Sequence, residues 1–379
     1  MRILQLGKYW NKDGGIETHV KTLCRGLASA GLDIVNLVSS TTRQASRFNA
    51  DGYQIIESPS FGTYFSTSIA PGIIADVRRL NHGKPFDLIH LHFPDPMSHL
   101  ASMTLPSHIP RVITWHSDIV KQRHLLKLYR PFQRQAICNA KAIITATQSL
   151  FDRSTQVPLS YPDDRRHVIP FGIDFHWLEP TSDIQSKAQS IKTSTQSRFL
   201  IFALGRHVEY KGFDVLIDAI RHTDAHLILG GGGPLTRNLK AQTAQLGLND
   251  RISFTGRLSN EDIAAHYHAC DVFCLPSITP NEAFGIVQVE AMACGKPVIC
   301  TQLNNGVNEV NLDGVTGLSV PTKDSHSLAK AINRLIADPA LRNRLGMNAK
   351  KHALSVFSVD KMVDRHLTLY EQLVRSRSS

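Results

Sequence analysis

The sequence predicts an α/β fold built from two parallel β-sheets with helices packed on them. Short β-branched runs alternate with helical stretches along the chain, a pattern typical of βα units around a parallel sheet. These runs fall into two series, and 379 residues are more than one core of roughly 100–200 residues needs. We therefore expect two similar α/β domains that face a central cleft.

The two series of candidate strands are separated by about fifty residues. The first comprises residues 3–6, 34–39, 53–57, 88–92, 112–115 and 142–145. The second comprises residues 199–204, 226–229, 252–255, 272–275 and 297–300.

A polar segment at residues 181–197 predicts the domain boundary. It is rich in Ser, Thr, Gln and Lys and has no apolar period. We therefore predict an N-terminal domain at residues 1–180 and a C-terminal domain at 181–357. Apolar residues in the tail recur at mostly helical spacing, which predicts a helix in residues 358–379 that packs back on the N-terminal domain.

Composition restricts the class of protein. The six cysteines occur singly rather than in the close pairs of zinc or redox motifs, so we expect reduced core residues. The N-terminus has neither a signal peptide nor a membrane-spanning run, which predicts a cytoplasmic location. The net charge of +10 predicts attraction to an anionic partner, which leaves nucleic acid, a phospholipid surface and a phosphorylated substrate open.

Two glycines after the first predicted strand are a candidate phosphate site. Gly14 and Gly15 directly precede a helix, whose free N–H groups and positive end favour an anion. A simple turn is an equally good interpretation. The dinucleotide fingerprint G-x-G-x-x-G is absent, which argues against a nicotinamide or flavin cofactor.

Charged residues follow strands of the second series. Arg206 and Lys211 come after the strand at 199–204, at the sheet edge where open α/β sheets bind ligands. Their guanidinium and ammonium groups suit a diphosphate, with a solvated basic loop as the alternative. Glu282 and Glu290 bracket a loop-to-helix junction at Gly285, where a carboxylate suits ribose or sugar hydroxyls.

Taken together, these segments resemble the family 4 glycosyltransferases, which have the GT-B fold of two Rossmann-like domains. The resemblance extends over nearly the whole chain and rests on the order and spacing of its motifs. They are Gly14-Gly15-Ile16-Glu17, His116, residues 169–174, Gly205-Arg206 with Lys211-Gly212, residues 271–277, and residues 282–290.

The resemblance implies a role for each motif. His116 is expected near the anomeric end of the transferred sugar, Arg206 and Lys211 on the donor diphosphate, and Glu282 on the sugar. The implied catalytic residues are His116, Arg206, Lys211 and Glu282. The implied donor-binding residues are Gly14, Gly15, Arg206, Lys211, Arg257, Leu258, Glu282, Phe284, Gly285, Ile286 and, for the ribose, Glu290.

Two segments depart from the family pattern. Residues 230–234 have glycine where the family turn often carries an acid, and residues 303–306 replace a more usual glycine-rich stretch. Both lie in the donor domain, so they leave the donor open without removing a phosphate or ribose contact.

The implied reaction retains the anomeric configuration through front-face attack and uses neither a metal nor a cofactor. Departure of the diphosphate needs electrostatic stabilisation, which Arg206 and Lys211 supply. No Asp-x-Asp cluster typical of metal-dependent transferases is found, and His90 and His92 are interpreted as strand-end residues rather than metal ligands.

The acceptor side is predicted from residues 116–135. Asp118 and Lys121 are candidate acceptor-binding residues, although Asp118 is an equally good helix N-cap. Basic and apolar residues alternate through residues 119–135, which suits peripheral contact with the anionic inner face of a membrane. A helix packed on its own sheet is the favoured alternative, and Pro131 is expected to interrupt it.

We therefore predict a hexosyltransferase of surface-polysaccharide assembly, such as lipopolysaccharide O-antigen synthesis. The expected donor is GDP-mannose, with UDP-sugars as the alternative, and the expected acceptor is a saccharide or a lipid-linked saccharide. A GT-B phosphorylase, which would need lysine-bound pyridoxal phosphate, and a nucleic-acid-binding protein are remote alternatives. The sequence has no recognisable nucleic-acid motif.

Overall fold

The computed structural model describes residues 1–12, 14–64, 67–119, 123–158, 160–196 and 198–376. The chain forms two compact units. The first unit comprises Met1–Gly172 with Val359–Ser379, and the second comprises Ile173–Ser358.

The secondary-structure elements are numbered in chain order. The strands are β1 (Arg2–Leu6), β2 (Asp33–Ser39), β3 (Ser46–Ala50), β4 (Tyr53–Ser58), β5 (Thr63–Tyr64), β6 (Thr67–Ser68), β7 (Leu88–Phe93), β8 (Arg111–Trp115), β9 (Ala142–Thr145), β10 (Arg166–Val168), β11 (Phe199–Leu204), β12 (Ala225–Gly230), β13 (Ile252–Gly256), β14 (Val272–Leu275), β15 (Val298–Thr301) and β16 (Gly317–Val320). The helices are α1 (Gly15–Ser29), α2 (Gly72–Gly83), α3 (Pro96–Met103), α4 (Arg123–Asn139), α5 (Gln148–Arg153), α6 (Ser182–Ser194), α7 (Phe213–Ile220), α8 (Thr236–Gln245), α9 (Asn260–Ala269), α10 (Ile286–Ala293), α11 (Gly306–Val310), α12 (Ser325–Ala337), α13 (Pro339–Val356) and α14 (Val359–Arg375).

The first unit is an eight-stranded sheet in the order β10-β9-β8-β7-β1-β2-β4-β3. Its strands pair in parallel except for β3, which pairs antiparallel with β4. The central strands are buried on both faces, as the apolar residues Ile3, Leu4 and Leu6 of β1 require. The tail helix α14 belongs to this unit and packs Met362, Val363 and Tyr370 into the core beside α1.

The second unit is a six-stranded sheet in the order β13-β12-β11-β14-β15-β16, and all its pairs are parallel. Its core is formed by β11, β12 and β14 together with α7 and α12, whose buried residues include Leu216 and Ile332. The predicted α/β class with two parallel Rossmann-like sheets is therefore confirmed.

The observed division of the chain lies at 172/173 and 358/359 rather than at 180/181 and 357/358. Ile173 donates its backbone N–H to Phe357 and forms a bridge with Ser358, so residue 173 already belongs to the second unit. Leu178 is buried there and accepts a hydrogen bond from His268 of α9. The chain passes from one unit to the other twice, and Ile173 after the first crossing pairs with Ser358 before the second. A search of the sequence for a polar linker does not detect such a pairing.

The predicted linker at 181–197 is largely helical. Thr181 caps α6 by accepting a hydrogen bond from the Ile184 backbone, and α6 buries only Ile184 and Ala188. Ile184, Ala188 and the half-buried Ile191 recur at helical spacing, but the polar residues around them hid this short apolar stripe in the sequence.

Two smaller expectations change. Helix α4 continues through Pro131, which the sequence suggested would interrupt it. Of the six cysteines, all free thiols, Cys138 is exposed and Cys294 is half-buried, whereas the other four are core residues. No helix in the described part of the chain combines the length and the apolar character that crossing a membrane requires.

Candidate functional site

In the second unit, the loop after β11 brings its basic residues to the carboxyl edge of the sheet. The loop runs from Gly205 through a 3₁₀ turn at Glu209–Lys211 to the start of α7. Gly212 adopts a left-handed conformation with φ 64°, and a Cβ there would overlap the carbonyl oxygen of Pro276. Glycine at this position therefore allows the loops after β11 and β14 to touch.

Lys211 and Glu282 form a buried ion pair at this edge. The Lys211 Nζ lies 2.5 Å from Glu282 Oε2, and both residues are 8% exposed. The Ser277 hydroxyl donates to the same carboxylate oxygen over 2.9 Å. The Nζ also lies 3.5 Å from the position that a Cβ on Gly205 would occupy. The ammonium group therefore lies directly beside the end of β11.

Arg206 lies on the same loop with its side chain exposed to solvent. Its guanidinium makes no hydrogen bond or ion pair with any residue that the structure describes. Two cations, the exposed guanidinium of Arg206 and the ammonium of Lys211, therefore belong to one loop and lie five positions apart in the sequence. Such a pair can receive a polyanion without first breaking an Arg206 contact.

The glycine run at residues 230–234 packs against the loop after β11. Gly231 has φ 101°, and a Cβ on it would overlap the Gly205 carbonyl, while a Cβ on Gly233 would come within 2.6 Å of the His207 carbonyl. His207 N donates to Gly232 O over 3.1 Å. A Cβ on Gly232 would meet nothing within 4 Å. Gly231 and Gly233 are therefore required by packing, whereas Gly232 is not.

The loop after β13 contributes the next two predicted residues. The Leu258 side chain lies 3.3 Å from the position of a Cβ on Gly230, so it packs over the end of β12. Arg257 is exposed. The ends of β11, β12 and β13 thus form one surface of apolar and glycine backbone, with Arg206 and Arg257 extending from it to solvent.

The segment before α10 holds the remaining donor-side residues. Gly285 caps α10 with φ 70°, and a Cβ on it would lie 2.6 Å from Leu275. Phe284 is buried and packs edge-on against Phe357, whereas Ile286 is 43% exposed. The Asn305 amide donates to the backbone carbonyl of Glu282 over 2.7 Å, which fixes the loop that carries the ion pair.

Glu290 makes a different contact from Glu282. The Tyr267 hydroxyl donates to its Oε2 over 2.8 Å, and burial raises the pKa of the Glu290 carboxyl while this hydrogen bond lowers it. The two glutamates are thus held separately, Glu282 by a cation and Glu290 by a phenol.

In the first unit, Gly14 and Gly15 lie at the start of α1, as expected for a candidate phosphate site. Gly14 is the N-cap residue, and its carbonyl accepts the Thr18 backbone N–H over 2.9 Å. The Glu17 carboxylate folds back against Gly14, while a Cβ on Gly15 would meet nothing within 4 Å. The described structure therefore leaves Gly15 open to a ligand and covers Gly14 with an acid.

His116 follows β8 and lies in a cluster of imidazoles. Its Nε2 is 3.2 Å from His92 Nδ1, and its ring stacks on Phe171 with centroids 5.9 Å apart. Burial lowers the pKa of His116 to about 3, so the ring is neutral at pH 7. A neutral imidazole can donate one hydrogen bond to a sugar hydroxyl or accept one.

Asp118 has a structural role that its sequence position did not reveal. Its carboxylate accepts hydrogen bonds from the Trp115 indole, the Ser154 hydroxyl, and both the backbone and the hydroxyl of Thr155. Acceptor binding at Asp118 remains a prediction, and it would compete with these four bonds. The second candidate acceptor residue, Lys121, lies outside the described residues.

The structure brings together Lys211, Glu282 and the Gly205 backbone, with Arg206 adjacent. Sequence reasoning missed Ser277, Tyr267 and Asn305, which hold the two glutamates, since each is an ordinary polar residue on a loop or helix. It also missed His19 and Tyr370, which meet the strand histidines only after folding.

Two protein-family models match the chain, one in each half. Residues 13–177 match the family described as Glycosyltransferase Family 4, and residues 185–352 match Glycosyl transferases group 1.

Curated relatives and solved structures agree with these matches. The chain is 29% identical over 384 residues to the O-antigen chain mannosyltransferase C of Escherichia coli, with all of both chains covered. It is 30% identical over 361 residues to the D-rhamnosyltransferase WbpZ of Pseudomonas aeruginosa, covering 94% of this chain and 92% of that one. The structure of Anabaena HepE in complex with UDP is similar in fold, with a TM-score of 0.73, 24% identity, and 98% and 100% of the two chains covered.

Proposed function

The chain belongs to glycosyltransferase family 4, and we propose that it transfers a mannosyl residue from GDP-mannose to a saccharide or lipid-linked saccharide in surface-polysaccharide synthesis. The glycosyltransferase activity comes from the family. The observation that carries the finer proposal is the Lys211–Glu282 pair beside Gly205 and Arg206 at the edge of the second sheet.

The basic loop after β11 suits a nucleoside diphosphate. Lys211 uses one of its three N–H donors on Glu282, which leaves donors for phosphate oxygens. Arg206 adds a guanidinium that no described residue engages. As the sugar–phosphate bond breaks, negative charge develops on the departing diphosphate, and both cations stabilise it more strongly than they stabilise the intact donor.

Glu282 suits the transferred sugar. Its Oε2 accepts bonds from Lys211 and Ser277, whereas no described residue donates to its Oε1. A carboxylate oxygen held beside the diphosphate site can accept a hydrogen bond from a sugar hydroxyl. Lys211 thus orients the sugar-binding acid and binds the leaving group at the same time.

The manno configuration of the sugar is supported by the two relatives. One is a mannosyltransferase and the other a D-rhamnosyltransferase. D-Rhamnose is D-mannose without the 6-hydroxyl, so both sugars share the axial 2-hydroxyl. GDP-D-rhamnose is therefore the second candidate donor, ahead of the UDP-sugars.

Retention of configuration and independence of a metal are parts of the same proposal. Two cationic side chains supply the leaving-group stabilisation that a divalent ion supplies in metal-dependent transferases. We expect turnover to persist in the presence of excess chelator and the product linkage to be α, as in the donor. Loss of turnover on chelation, or a β-linked product, would contradict this part.

A donor panel tests the function. Thermal shifts with GDP, UDP, ADP and their sugars report which nucleotide binds, because a ligand stabilises the folded state according to its concentration over Kd. We expect GDP and GDP-mannose to give the largest shifts and GDP-mannose to label a mannan or lipid-linked acceptor. A shift with UDP-sugars alone would replace the proposed donor and leave the diphosphate site in place.

A further inference from the structure

Three imidazoles converge at the carboxyl edge of the first sheet. His19 comes from α1, His92 from β7, and His116 from the residue after β8. One ring nitrogen from each lies within 4.8 Å of the other two. His19 and His92 are buried, and His116 is half-buried.

Neither ring nitrogen of His19 has a hydrogen-bond partner among the described residues. It is 6% exposed, and both Nδ1 and Nε2 are buried without a hydrogen bond from any described residue. Its ring contacts those of His92, His116 and Phe171 instead. A buried imidazole nitrogen without a hydrogen bond costs free energy. A metal ion bound to one His19 nitrogen would use the lone pair there, while the N–H stays on the other nitrogen.

A chain of hydrogen bonds fixes the protonation of His92. Gln5 Oε1 can only accept, so His92 Nε2 donates to it over 2.9 Å. The Gln5 amide is itself fixed by Tyr370, whose hydroxyl also contacts His90. The proton of neutral His92 is therefore on Nε2, and its Nδ1 accepts a hydrogen bond from His116 Nε2 over 3.2 Å. A metal ion takes both nitrogens when His116 moves its proton to Nδ1. Metal-binding histidines commonly have such a partner on the outer nitrogen.

One of the three nitrogen–nitrogen distances matches tetrahedral coordination, and the other two lie within 4.8 Å. Ligand nitrogens at about 2.05 Å from zinc are about 3.3 Å apart in a tetrahedron, and His92 Nδ1 lies 3.2 Å from His116 Nε2. Burial lowers the pKa of all three imidazoles, which keeps them in the neutral form that binds a metal.

We propose that His19, His92 and His116 form a site for one divalent transition-metal ion of the zinc class, with the fourth coordination position open on the side of His116. Because His116 is the residue expected at the transferred sugar, a bound ion takes its Nε2 and inhibits transfer. The inhibition of transfer rests on the proposed function, whereas the metal site does not.

Metal binding is tested with Co²⁺ on the untagged full chain without donor. Four-coordinate Co²⁺ absorbs strongly in the visible region, whereas the aqueous ion is nearly colourless. We expect one intense-absorbing Co²⁺ per chain, displaced by one Zn²⁺. His19→Leu keeps the apolar packing and is expected to abolish the band and to weaken Zn²⁺ binding at least about tenfold. His92→Gln, which retains a partner for Gln5, serves as the second variant.

The matched control removes the exposed pair His222 and His326, whose rings lie 4.9 Å apart in the second unit. The double variant H222Q/H326Q should keep the band and the affinity. The proposed metal site would be wrong if wild-type protein with Co²⁺ showed no intense visible absorption. It would also be wrong if wild type and His19→Leu bound Zn²⁺ with equal affinity.

The inhibition clause is tested by turnover of the active donor. Zn²⁺ at the concentration that fills the site should inhibit wild type, whereas His19→Leu should keep its activity at the same concentration. A filled site with unchanged turnover overturns inhibition through His116 and leaves the metal site standing. Absence of transfer with every donor would instead contradict the proposed function, while the Co²⁺ result would still stand.

Discussion

The carboxyl edges of the two parallel sheets are built in the same way, but the side chains at one edge are neutral and those at the other are charged. In the first unit the edge is formed by neutral imidazoles, among them the buried His92 and the half-buried His116. In the second unit it is formed by an ion pair and an exposed guanidinium on glycine-built loops. The parallel sheet supplies the same position in both, and the loop residues decide what that position binds.

We propose that the difference corresponds to two tasks of a transferase. Stabilising a departing diphosphate requires fixed positive charge, which the second unit provides at Lys211 and Arg206. Orienting a sugar requires directional hydrogen bonds without a charge that would repel a developing cation. Neutral His116 suits this second task.

The largest expected effect is on catalysis at the charged edge. Lys211→Ala should lower kcat by about 10²–10³, because removing one group that stabilises developing charge has such an effect. Steady-state rates with the active donor measure it. Lys187→Ala is the matched control, since Lys187 forms surface ion pairs with Glu261 and Asp262 in the same unit and should leave kcat unchanged. Equal kcat in wild type and Lys211→Ala would refute leaving-group stabilisation by this residue.

The next effect concerns the stability of the pair itself. Lys211→Met leaves the Glu282 carboxylate buried without its cation, which should lower the free energy of unfolding by about 3–5 kcal/mol. Adding Glu282→Gln should restore much of this loss, because the unpaired charge is removed. Urea denaturation of the single and double variants measures both. Additive losses in the double variant would show that the two residues do not act as a pair.

A third effect tests the glycine loops. Gly231→Ala places a Cβ against the Gly205 carbonyl at a positive φ, so we expect a loss of about 1–3 kcal/mol in stability and weaker binding of the nucleotide. Gly232→Ala meets open space and should leave both unchanged. Thermal unfolding and nucleotide titration compare the two variants. If they behave alike, the close packing of the two loops is not what fixes the site.

The smallest expected effect is on stability, at the histidine cluster of the first unit. His19→Leu removes a buried imidazole whose nitrogens lack partners among the described residues, so it should raise the free energy of unfolding at pH 7 by about 1–2 kcal/mol. Measurements are made with chelator, which keeps metal binding out of the comparison. A variant less stable than wild type under these conditions would indicate a contact of the His19 ring that favours histidine.

The pH dependence of the same variant follows from the lowered pKa of His19. The folded state binds fewer protons than the unfolded state below about pH 6.5, so wild-type stability falls as pH decreases through this range. Each such histidine contributes up to about 1.4 kcal/mol per pH unit. The advantage of His19→Leu should therefore grow between pH 7 and pH 5.5, and a constant difference would contradict a buried neutral His19.

The sequence predicted the sheets well, whereas it placed the first domain boundary in a segment that is largely helical. Strongly apolar runs such as those of β1 and β11 are buried on both faces, so their composition alone identifies them. The exposed strand β3 and the short strands β10 and β16 carry no such signal. Helix α6 escaped detection because most of its surface is exposed.

For the candidate site, the sequence identified individual residues but not the contacts between them. Arg206, Lys211 and Glu282 were identified because charged residues stand out on loops after predicted strands. Their pairing was not predictable, since Lys211 and Glu282 are 71 positions apart. The histidine cluster depends on contacts over still longer separations, such as the 365 positions between Gln5 and Tyr370, which only tertiary packing produces.

The central claim is that the basic loop of the second unit holds the two phosphates of the donor nucleotide. Isothermal titration of GDP and GMP into wild type and Lys211→Ala tests it most directly, because the two ligands differ by one phosphate. We predict that the substitution weakens GDP binding at least about tenfold, or about 1.4 kcal/mol, and changes GMP binding much less. Equal loss of affinity for both ligands, or no loss for either, would contradict the claim.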